Sequence, residues 1–152
     1  MEIIRDGPRR HEEWDADMKR VRDSAFGHSR LTIAERLSRR RRHWAESGRY
    51  PKALRTHECW CVRAECNGVL VGYAWGYPMS DDNTWAYIDD VGVHVEQQSR
   101  GVGRAIIDEM VAWLGESGVE HVTGLAIDER MARIFRHHRI TPHPPTMHAG
   151  DS

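Results

Sequence analysis

The spacing of apolar side chains in the segment 91–111 (VGVHVEQQSRGVGRAIIDEMV) predicts a strand, a turn and a helix. Val91, Val93 and Val95 alternate with other residues, as on one face of a β-strand. The polar residues 96–99 interrupt this alternation and predict a turn. The apolar residues that follow recur at helical spacing, and they are Val102, Ala105, Ile106, Met110, Trp113 and Leu114.

A β-hairpin is predicted for the segment Cys59–Tyr77. Two strand-like runs flank Asn67-Gly68, the residue pair that a type I′ turn prefers. In the second run small residues alternate with bulky ones, and the small residues are Gly72, Ala74 and Gly76. This alternation predicts one bare strand face, against which another element packs closely.

The remaining periodic stretches predict three further strands and three further helices, in an order typical of an α/β protein with one central mixed sheet. These elements are strand Met1–Arg5, a helix from Pro8 to Ala25, a helix that begins at Thr32, strands Thr84–Val95 and Val119–Ile127, and helix Asp128–His138. We expect a single domain over residues 1–140. A short tail with several prolines and histidines follows at 141–152, with room for one short strand near Ile140–His143.

Composition bounds the class of protein. The chain has 152 residues, enough for one domain with a sizeable core. Its formal net charge of −1 argues against general binding to nucleic acids or membranes. No apolar run is long enough for a membrane span or a signal peptide. Three cysteines give no disulfide framework, so we expect a reducing compartment, the cytoplasm.

No metal centre is expected from the cysteines or the histidines. Cys59, Cys61 and Cys66 lack the spacing of zinc-binding motifs and fit buried small apolar residues better. The histidines within 137–148 match no ligand motif either, and we interpret them as exposed. The run Arg39–Arg42 spans more than one helical turn, so it fits a solvated helix face better than a phosphate clamp.

The turn between the strand and the helix at 91–111 has the features of an anion-binding site. Free backbone N–H groups meet the positive end of the helix dipole there, and Gly101 and Gly103 let the backbone approach a ligand. The segment is not a P-loop, because no lysine follows Gly103. It is not a dinucleotide fingerprint either, because Ile106 stands where that motif needs a small residue.

The longer pattern Gln98-x-x-Gly101-x-Gly103, preceded by a Val-x-Val strand, resembles the acyl-CoA-binding motif of the GNAT acyltransferase superfamily. The resemblance implies an α/β (α+β) fold with a central mixed, mostly antiparallel sheet. That sheet is splayed between its fourth and fifth strands and flanked by helices. The implied cofactor is acetyl-CoA, held by its pyrophosphate at the turn and by its pantetheine arm along the strand. The residues implied in cofactor binding are Val91, Val93, Val95, Gln98, Arg100, Gly101, Val102, Gly103, Arg104, Ala105, Asp128 and Phe135.

The segment after the fifth predicted strand departs from the family pattern at three places. Asp128 stands where the family has Asn, Phe135 where it has Tyr, and Arg139-Ile140 where it has Gly-Phe. The family tyrosine is often proposed to protonate the leaving CoA thiolate, and a phenyl ring has no proton to donate. Water, a nearby histidine or another side chain would then supply the proton, while Phe135 would still pack beside the thiol arm of CoA.

Asp89 and Asp90 are the candidate catalytic residues, with Asp89 preferred. Asp is disfavoured within strands, and a partly buried carboxylate with a raised pKa suits a general base. Family spacing also places a catalytic base at Asp89 in some members. The alternative is that one of the two carboxylates caps or ion-pairs with a neighbour at a bulge. A backbone N–H near Val93 is expected to polarise the thioester carbonyl, and Gly92 is the expected position of a bulge.

The implied activity is direct transfer of an acetyl group from acetyl-CoA to a small amine, without a covalent enzyme intermediate. Aromatic and acidic residues would suit a cationic amine, and they are Trp75, Tyr77, Asp81, Asp82, Trp85, Tyr87 and Asp89. The alternative is a GNAT-fold protein that binds acyl-CoA or a partner as a sensor or interaction module. Since few residues follow the last helix, we expect a homodimer whose partner covers the edge of the fifth strand.

Overall fold

The computed structural model describes residues 1–7, 15–26, 59–79, 84–124 and 129–142. Within these ranges the chain forms six strands and three α-helices. Their bounds are β1 Glu2–Arg5, α1 Asp15–Phe26, β2 Trp60–Cys66, β3 Val69–Pro78, β4 Trp85–Val93, α2 Val102–Glu116, β5 His121–Gly124, α3 Glu129–His137 and β6 Thr141–Pro142. The helix predicted from Thr32, together with the arginine run in it, lies outside the described residues.

The strands form one sheet in the order β1-β2-β3-β4-β5-β6. Neighbouring strands from β1 to β4 are antiparallel, whereas β4 pairs with β5, and β5 with β6, in parallel. The β4–β5 pairing runs from Trp85↔His121 to Ile88↔Gly124, and β4 then continues alone to Val93. The predicted mixed, mostly antiparallel sheet is therefore confirmed, with its splay between the fourth and fifth strands.

The predicted hairpin is formed by β2 and β3. Asn67 and Gly68, at its turn, have φ angles of 52° and 79°, as a type I′ turn requires at both central positions. On the bare face of β3, a Cβ at Gly72 would lie 2.8 Å from Cδ1 of Ile106 and 3.1 Å from Cγ1 of Val102. The element that packs closely on this face is therefore α2, as the alternation predicted.

Two apolar clusters lie on opposite faces of the sheet. One is formed with α1 and contains Met18, Val21, Cys59, Cys61, Leu70, Tyr73, Trp75, Tyr77 and Tyr87. The other is formed with α2 and α3 and includes Val62, Ala74, Ile88, Ile106, Ile107, Met110, Leu114, Phe135 and Ile140. Cys66 packs against the second cluster, on the opposite side of the sheet from Cys59 and Cys61.

The aromatic residues predicted around an acceptor differ in exposure. Trp75, Tyr77 and Tyr87 are 0% exposed and belong to the α1-side core. Trp85 is 43% exposed, and its ring stacks on that of His121 with centroids 4.4 Å apart. Of these four aromatic side chains, Trp85 is therefore the one that a ligand reaches without movement of the core.

A β-bulge interrupts the pairing of β3 with β4. Trp75 lies opposite Asp90 and the next residue, Gly76, lies opposite Ile88, so Asp89 is the inserted residue. The expectation of a bulge at Gly92 is wrong. Gly92 pairs in register with Tyr73, and a Cβ there would lie 2.7 Å from Cε1 of that ring. The Tyr73 ring therefore packs directly against the backbone of Gly92.

The far end of α2 is fixed to the first strand through Arg5. Its Nε donates to Oε1 of Glu109 at 2.6 Å, and its Nη1 donates to Glu116. The guanidinium also lies over the ring of Trp113, 5.8 Å from the centroid. The hydrogen bonds to Glu116 and Glu109 raise the pKa of Arg5 above its usual value, because both carboxylates stabilise the charged guanidinium. These contacts orient α2 across the sheet.

The short terminal strand predicted near Ile140–His143 is present as β6. It pairs in parallel with Thr123 and Gly124 of β5. Arg139, with a φ of 57°, ends α3, and the N–H of Ile140 donates to the carbonyl of Phe135 at 2.9 Å. None of the helices in the described part of the chain is long and apolar enough to span a membrane.

Candidate active site

Strand β4 is shorter than the valine pattern predicted. β4 ends at Val93, and Val95 begins a single 3-10 turn, Val95–Gln97, with its side chain 55% exposed. The ring Nδ1 of His94 accepts a hydrogen bond from the N–H of Glu96 at 3.2 Å and caps that turn. The prediction that Val95 shares a strand face with Val91 and Val93 is therefore wrong.

The beginning of α2 presents free backbone donors to this turn. Gly101 is the N-cap residue with a φ of 81°, and no side chain caps the helix there. The first helical bond runs from the N–H of Ala105 to the carbonyl of Gly101 at 3.0 Å. The N–H groups of Val102, Gly103 and Arg104 precede that bond and have no intrahelical acceptor. Donors of this kind at the positive end of a helix suit phosphate groups.

Glycine is favoured at positions 101 and 103 of the motif for different physical reasons. At Gly101 the left-handed φ favours glycine, and a Cβ would meet nothing within 4 Å. At Gly103 a Cβ would lie 3.5 Å from Cγ2 of Val93 and 3.8 Å from Ile134 and Met131. The side-chain position of Gly103 therefore faces the interior. This glycine lets the first turn of α2 approach β4 and α3.

The predicted cofactor-binding residues fall into two groups by the direction of their side chains. The partly buried Val91 and Val93 and the buried Val102 pack with their side chains in the α2-side cluster. Arg100 and Arg104 are exposed, with Ala105 half-buried behind them. Nη2 of Arg104 lies 2.8 Å from Nε2 of His137. The charged and backbone groups together form a donor set that fits the phosphates of CoA.

Gln98 connects the end of β4 to α3 through its side chain. Its Nε2 donates to the carbonyl of Val93 at 3.1 Å, and its Oε1 accepts from Nη2 of Arg130 at 3.2 Å. Nη1 of Arg130 also donates to Oγ of Ser99 at 3.2 Å. Arg130 is a residue that the sequence pattern did not indicate, because 32 positions separate it from Gln98 and no local spacing connects them.

The two candidate catalytic carboxylates are both buried, at 4% exposure each. Ile88 and Val91 pack on the same α2 side although three positions separate them, because the bulge inserts Asp89. That insertion places Asp89 and Asp90 together on the opposite, α1 side of the sheet. Two neighbouring carboxylates therefore share one face of the sheet.

Asp90 is held by residues of α1 and β3. Its Oδ2 accepts a hydrogen bond from the hydroxyl of Tyr73 at 3.0 Å and lies 3.8 Å from Nη1 of Arg22. Arg22 is 1% exposed. The alternative of an ion pair at a bulge therefore applies to Asp90. Arg22 was missed from the sequence, although it stands four residues after Met18, at the spacing of the buried stripe of α1.

Phe135 fills the junction of α3 and β5. Its side chain is 3% exposed, and a Cβ at Gly124 would lie 2.8 Å from its Cε2. The ring thus packs against the bare backbone of β5 where β4 and β5 part. It has no group that donates a proton. Asp128, predicted to bind the cofactor, lies outside the described residues.

A sequence model of the acetyltransferase (GNAT) family matches residues 16–137, most of the chain. The chain belongs to this family. The matched range includes the β4–α2 turn, the bulge and Phe135, so the family predicted from the Gln98-x-x-Gly101-x-Gly103 pattern is confirmed. No curated protein matches the chain significantly in sequence.

Solved GNAT structures share the fold at low sequence identity. One is an aminoglycoside acetyltransferase from an uncultured soil metagenomic sample in complex with sisomicin (TM-score 0.60, 20% identity, 91% of this chain and 84% of that chain covered). Another is a ribosomal-protein-alanine N-acetyltransferase from Brucella melitensis biovar Abortus 2308 (TM-score 0.58, 17% identity, 95% and 94% covered). A third is a GNAT family acetyltransferase from Brucella melitensis in complex with acetyl-CoA (TM-score 0.56, 18% identity, 87% and 79% covered).

At these identities the structural likeness shows the fold alone. Membership of the GNAT family supports acetyl transfer as the general chemistry and acetyl-CoA as the cofactor that such proteins use. In this GNAT protein the free N–H groups of α2 lie beside the splay between β4 and β5. The same splay is flanked by Asp89 and Phe135.

Proposed function

We propose that this GNAT protein transfers an acetyl group from acetyl-CoA directly to the amine of a small acceptor. The observation that carries the proposal is the uncapped N-terminus of α2, which follows β4 at the point where β4 has left β5. A cofactor held there by its phosphates would lie along β4. The acceptor would then approach from the α1 side, where both carboxylates lie.

The chain's own groups bind and orient in this proposal. The N–H groups of Val102, Gly103 and Arg104 hold phosphate oxygens, aided by the guanidinium groups of Arg100 and Arg104. When bound, acetyl-CoA supplies the activated acetyl thioester. Beyond Ile88, β4 is no longer paired with β5 in the described part of the sheet. A backbone N–H there, near Val93, would polarise the thioester carbonyl.

Asp89 is the proposed general base, acting on the ammonium form of the acceptor directly or through a water molecule. It is the inserted residue of the bulge, and it is buried on the acceptor side. Asp90 is a less suitable base because its Oδ2 already accepts a hydrogen bond from Tyr73 and lies beside Arg22. The structure thus supports the order of preference that the sequence indicated.

Protonation of the leaving thiolate would come from solvent. Phe135 has no donor and is packed against Gly124. A thiolate with an ordinary pKa of about 8.5 leaves without a dedicated acid near neutral pH. A cationic amine is the proposed acceptor class, because a buried carboxylate and the exposed Trp85 ring would both attract it.

The test joins cofactor binding to turnover. We expect acetyl-CoA at millimolar concentration to raise the melting temperature, and release of the CoA thiol to follow when polyamines and aminoglycosides are offered as acceptors. Asp89→Asn should retain the thermal shift and lose roughly 100-fold or more in kcat. The matched control is Asp17→Asn, an exposed acid on α1, which should leave both quantities unchanged. Absence of any thermal shift would refute the proposal.

A second candidate function is favoured by Phe135 alone. A GNAT protein without the proton donor could hold acyl-CoA as a sensor and transfer nothing. It predicts a thermal shift with acetyl-CoA, no thiol release with any amine of the panel, and no difference between the wild-type chain and Asp89→Asn. Thiol release that depends on Asp89 excludes this candidate.

A further inference from the structure

Asp89 lies between two residues of β4 that are held in different ways. Because a bulge interrupts the ladder of hydrogen bonds between two strands, the position of the inserted residue depends on the residues on either side of it. For Asp89 these residues are Ile88, opposite Gly76, and Asp90, opposite Trp75. The contacts that hold Ile88 and Asp90 therefore also place the backbone of Asp89.

The Ile88 side of the bulge is held by the backbone and by apolar packing. A Cβ at Gly76 would lie 2.4 Å from the carbonyl oxygen of Tyr87 and 3.3 Å from Cα of Ile88. Strand β3 therefore approaches β4 more closely here than it could with a side chain at position 76. Ile88 is itself buried in the α2-side core. This side of the bulge is thus fixed without a polar side chain.

The Asp90 side of the bulge is held by polar contacts instead. Oδ2 of Asp90 accepts a hydrogen bond from the hydroxyl of Tyr73 at 3.0 Å and lies 3.8 Å from Nη1 of Arg22. Both partner side chains are buried, so breaking these contacts is costly because water does not replace them. One buried side chain from β3 and one from α1 therefore hold the residue that follows Asp89.

Helix α1 is anchored on both sides of Arg22. Two residues before it, Nη2 of Arg20 donates to the carbonyl of Leu70 on β3 at 2.8 Å. Two residues after it, Oγ of Ser24 accepts from the N–H of Val95, beyond the end of β4, at 3.3 Å. These contacts tie α1 to both strands and fix the place from which the guanidinium of Arg22 extends.

We propose that Tyr73 and Arg22 are positioning residues, which act through Asp90 on the placement of Asp89. The inference rests on the proposed function, because it concerns the base of that reaction. Neither Tyr73 nor Arg22 touches the acceptor. A displacement of a reacting group by about 1 Å costs up to about 100-fold in rate, so loosened contacts of Asp90 should lower kcat. Cofactor binding at the N-terminus of α2, on the other face of the sheet, should not change.

The kinetic experiment uses Tyr73→Phe, which removes the donor to Asp90 and keeps the aromatic ring. With the best amine of the polyamine and aminoglycoside panel, kcat should fall by about 10- to 100-fold while KM for acetyl-CoA stays unchanged. In the Asp89→Asn background the same substitution should change kcat by less than about twofold, because a positioning residue loses its effect once the group that it positions is gone. Ile107→Val, in the α2-side core, is the control for lost stability and should keep the wild-type kcat.

A second pair of variants tests Arg22. Arg22→Lys keeps a positive charge beside Asp90, whereas Arg22→Met fills a similar space without one. We expect Arg22→Lys to retain more of the wild-type kcat than Arg22→Met when both are measured below their melting temperatures. A wild-type kcat in Arg22→Met would overturn the role of Arg22.

Nuclear magnetic resonance relaxation follows the position of Asp89 without any turnover. In the wild-type chain the order parameter of the Asp89 N–H should be about 0.85, the value of a rigid backbone. It should be lower in Tyr73→Phe and unchanged in Ile107→Val. An unchanged order parameter in Tyr73→Phe would show that the hydroxyl does not hold the bulge.

Two kinetic results would overturn the inference while leaving the proposed function intact. In one, Tyr73→Phe has the wild-type kcat. In the other, its loss persists in full in the Asp89→Asn background, which would show that Tyr73 acts independently of the base. The proposed function fails separately if the wild-type chain releases no thiol with any amine, or if Asp89→Asn keeps the full kcat. Either result would also remove the role of Tyr73 in the reaction, whereas the relaxation comparison would still show whether Tyr73 holds Asp89 in place.

Discussion

The hydroxyl of Tyr73 donates to Oδ2 of Asp90 across 3.0 Å, from one strand of the sheet to the next. The same oxygen lies 3.8 Å from Nη1 of the buried Arg22. The ring of Tyr73 packs against Gly92, where a Cβ would lie within 3.0 Å of three of its atoms. Strand β3, strand β4 and helix α1 are thereby joined at the residue that follows the proposed base.

Tyr73→Phe should lower the free energy of unfolding by about 1.5–3 kcal/mol, because it removes a hydrogen bond to a buried charged group. Asp90→Asn should cost more, roughly 3–5 kcal/mol, since it removes the carboxylate charge beside the buried guanidinium of Arg22. Denaturant unfolding of the two variants measures both values. Equal stability of Asp90→Asn and the wild-type chain would contradict the buried ion pair.

Gly92→Ala should destabilise the protein by about 1–3 kcal/mol. The new Cβ would lie 2.7, 2.9 and 3.0 Å from three atoms of the Tyr73 side chain. That side chain is fully buried and hydrogen-bonded, so it cannot move away without losing its hydrogen bond to Asp90. Gly103→Ala is the control, because its nearest contact would be an ordinary 3.5 Å. A Gly92→Ala variant as stable as Gly103→Ala would show that the ring does not rest on Gly92.

Gly124→Ala should also destabilise the chain by about 1–3 kcal/mol. Its Cβ would lie 2.8 and 3.2 Å from the Phe135 ring and 3.4 Å from the carbonyl oxygen of Ile88, which is backbone. Gly115→Ala, in the exposed part of α2 with nothing within 4 Å, should instead stabilise by about 0.5–1 kcal/mol. Thermal unfolding should therefore shift the two variants in opposite directions. Shifts of the same sign would contradict the packing of Phe135 on β5.

We expect a homodimer in solution. Strand β6 pairs with Thr123 and Gly124 only, and the remaining edge of β5 at His121 and Val122 has no paired strand among the described residues. Exposed strand edges favour association with another chain. Light scattering should give twice the 17.6 kDa of the chain, with dissociation on dilution. A monomeric mass at every concentration would count against this prediction.

The sequence pattern predicted what local spacing determines. The Asn67-Gly68 turn, the bare face of β3 and the strand–turn–helix at Gly101 all followed from residues close together in the chain. The position of the bulge did not, because pairing across β3 and β4 sets it. Gly92 was expected to mark a bulge, but its missing side chain instead leaves room for the ring of Tyr73, which lies on another strand.

The candidate site was predicted unevenly for the same reason. The backbone donors of α2 are local and were found, whereas the contacts of Arg130 and Arg22 join distant segments. Asp89 and Asp90 were indistinguishable by residue type. Tertiary contacts separate them, because Asp90 contacts Tyr73 and lies beside Arg22, while Asp89 is the residue that the bulge inserts.

The bulge has a consequence for the length of the chain. Without Asp89, the order Ile88, Asp90, Val91 would keep strict alternation, with both apolar residues still on the α2 side. The extra residue is therefore not needed for this alternation, and it adds a buried carboxylate to the interior. A chain shortened by Asp89 alone should fold into a regular ladder, and it should fail in turnover. A deletion that unfolds the protein would show that the insertion is structural.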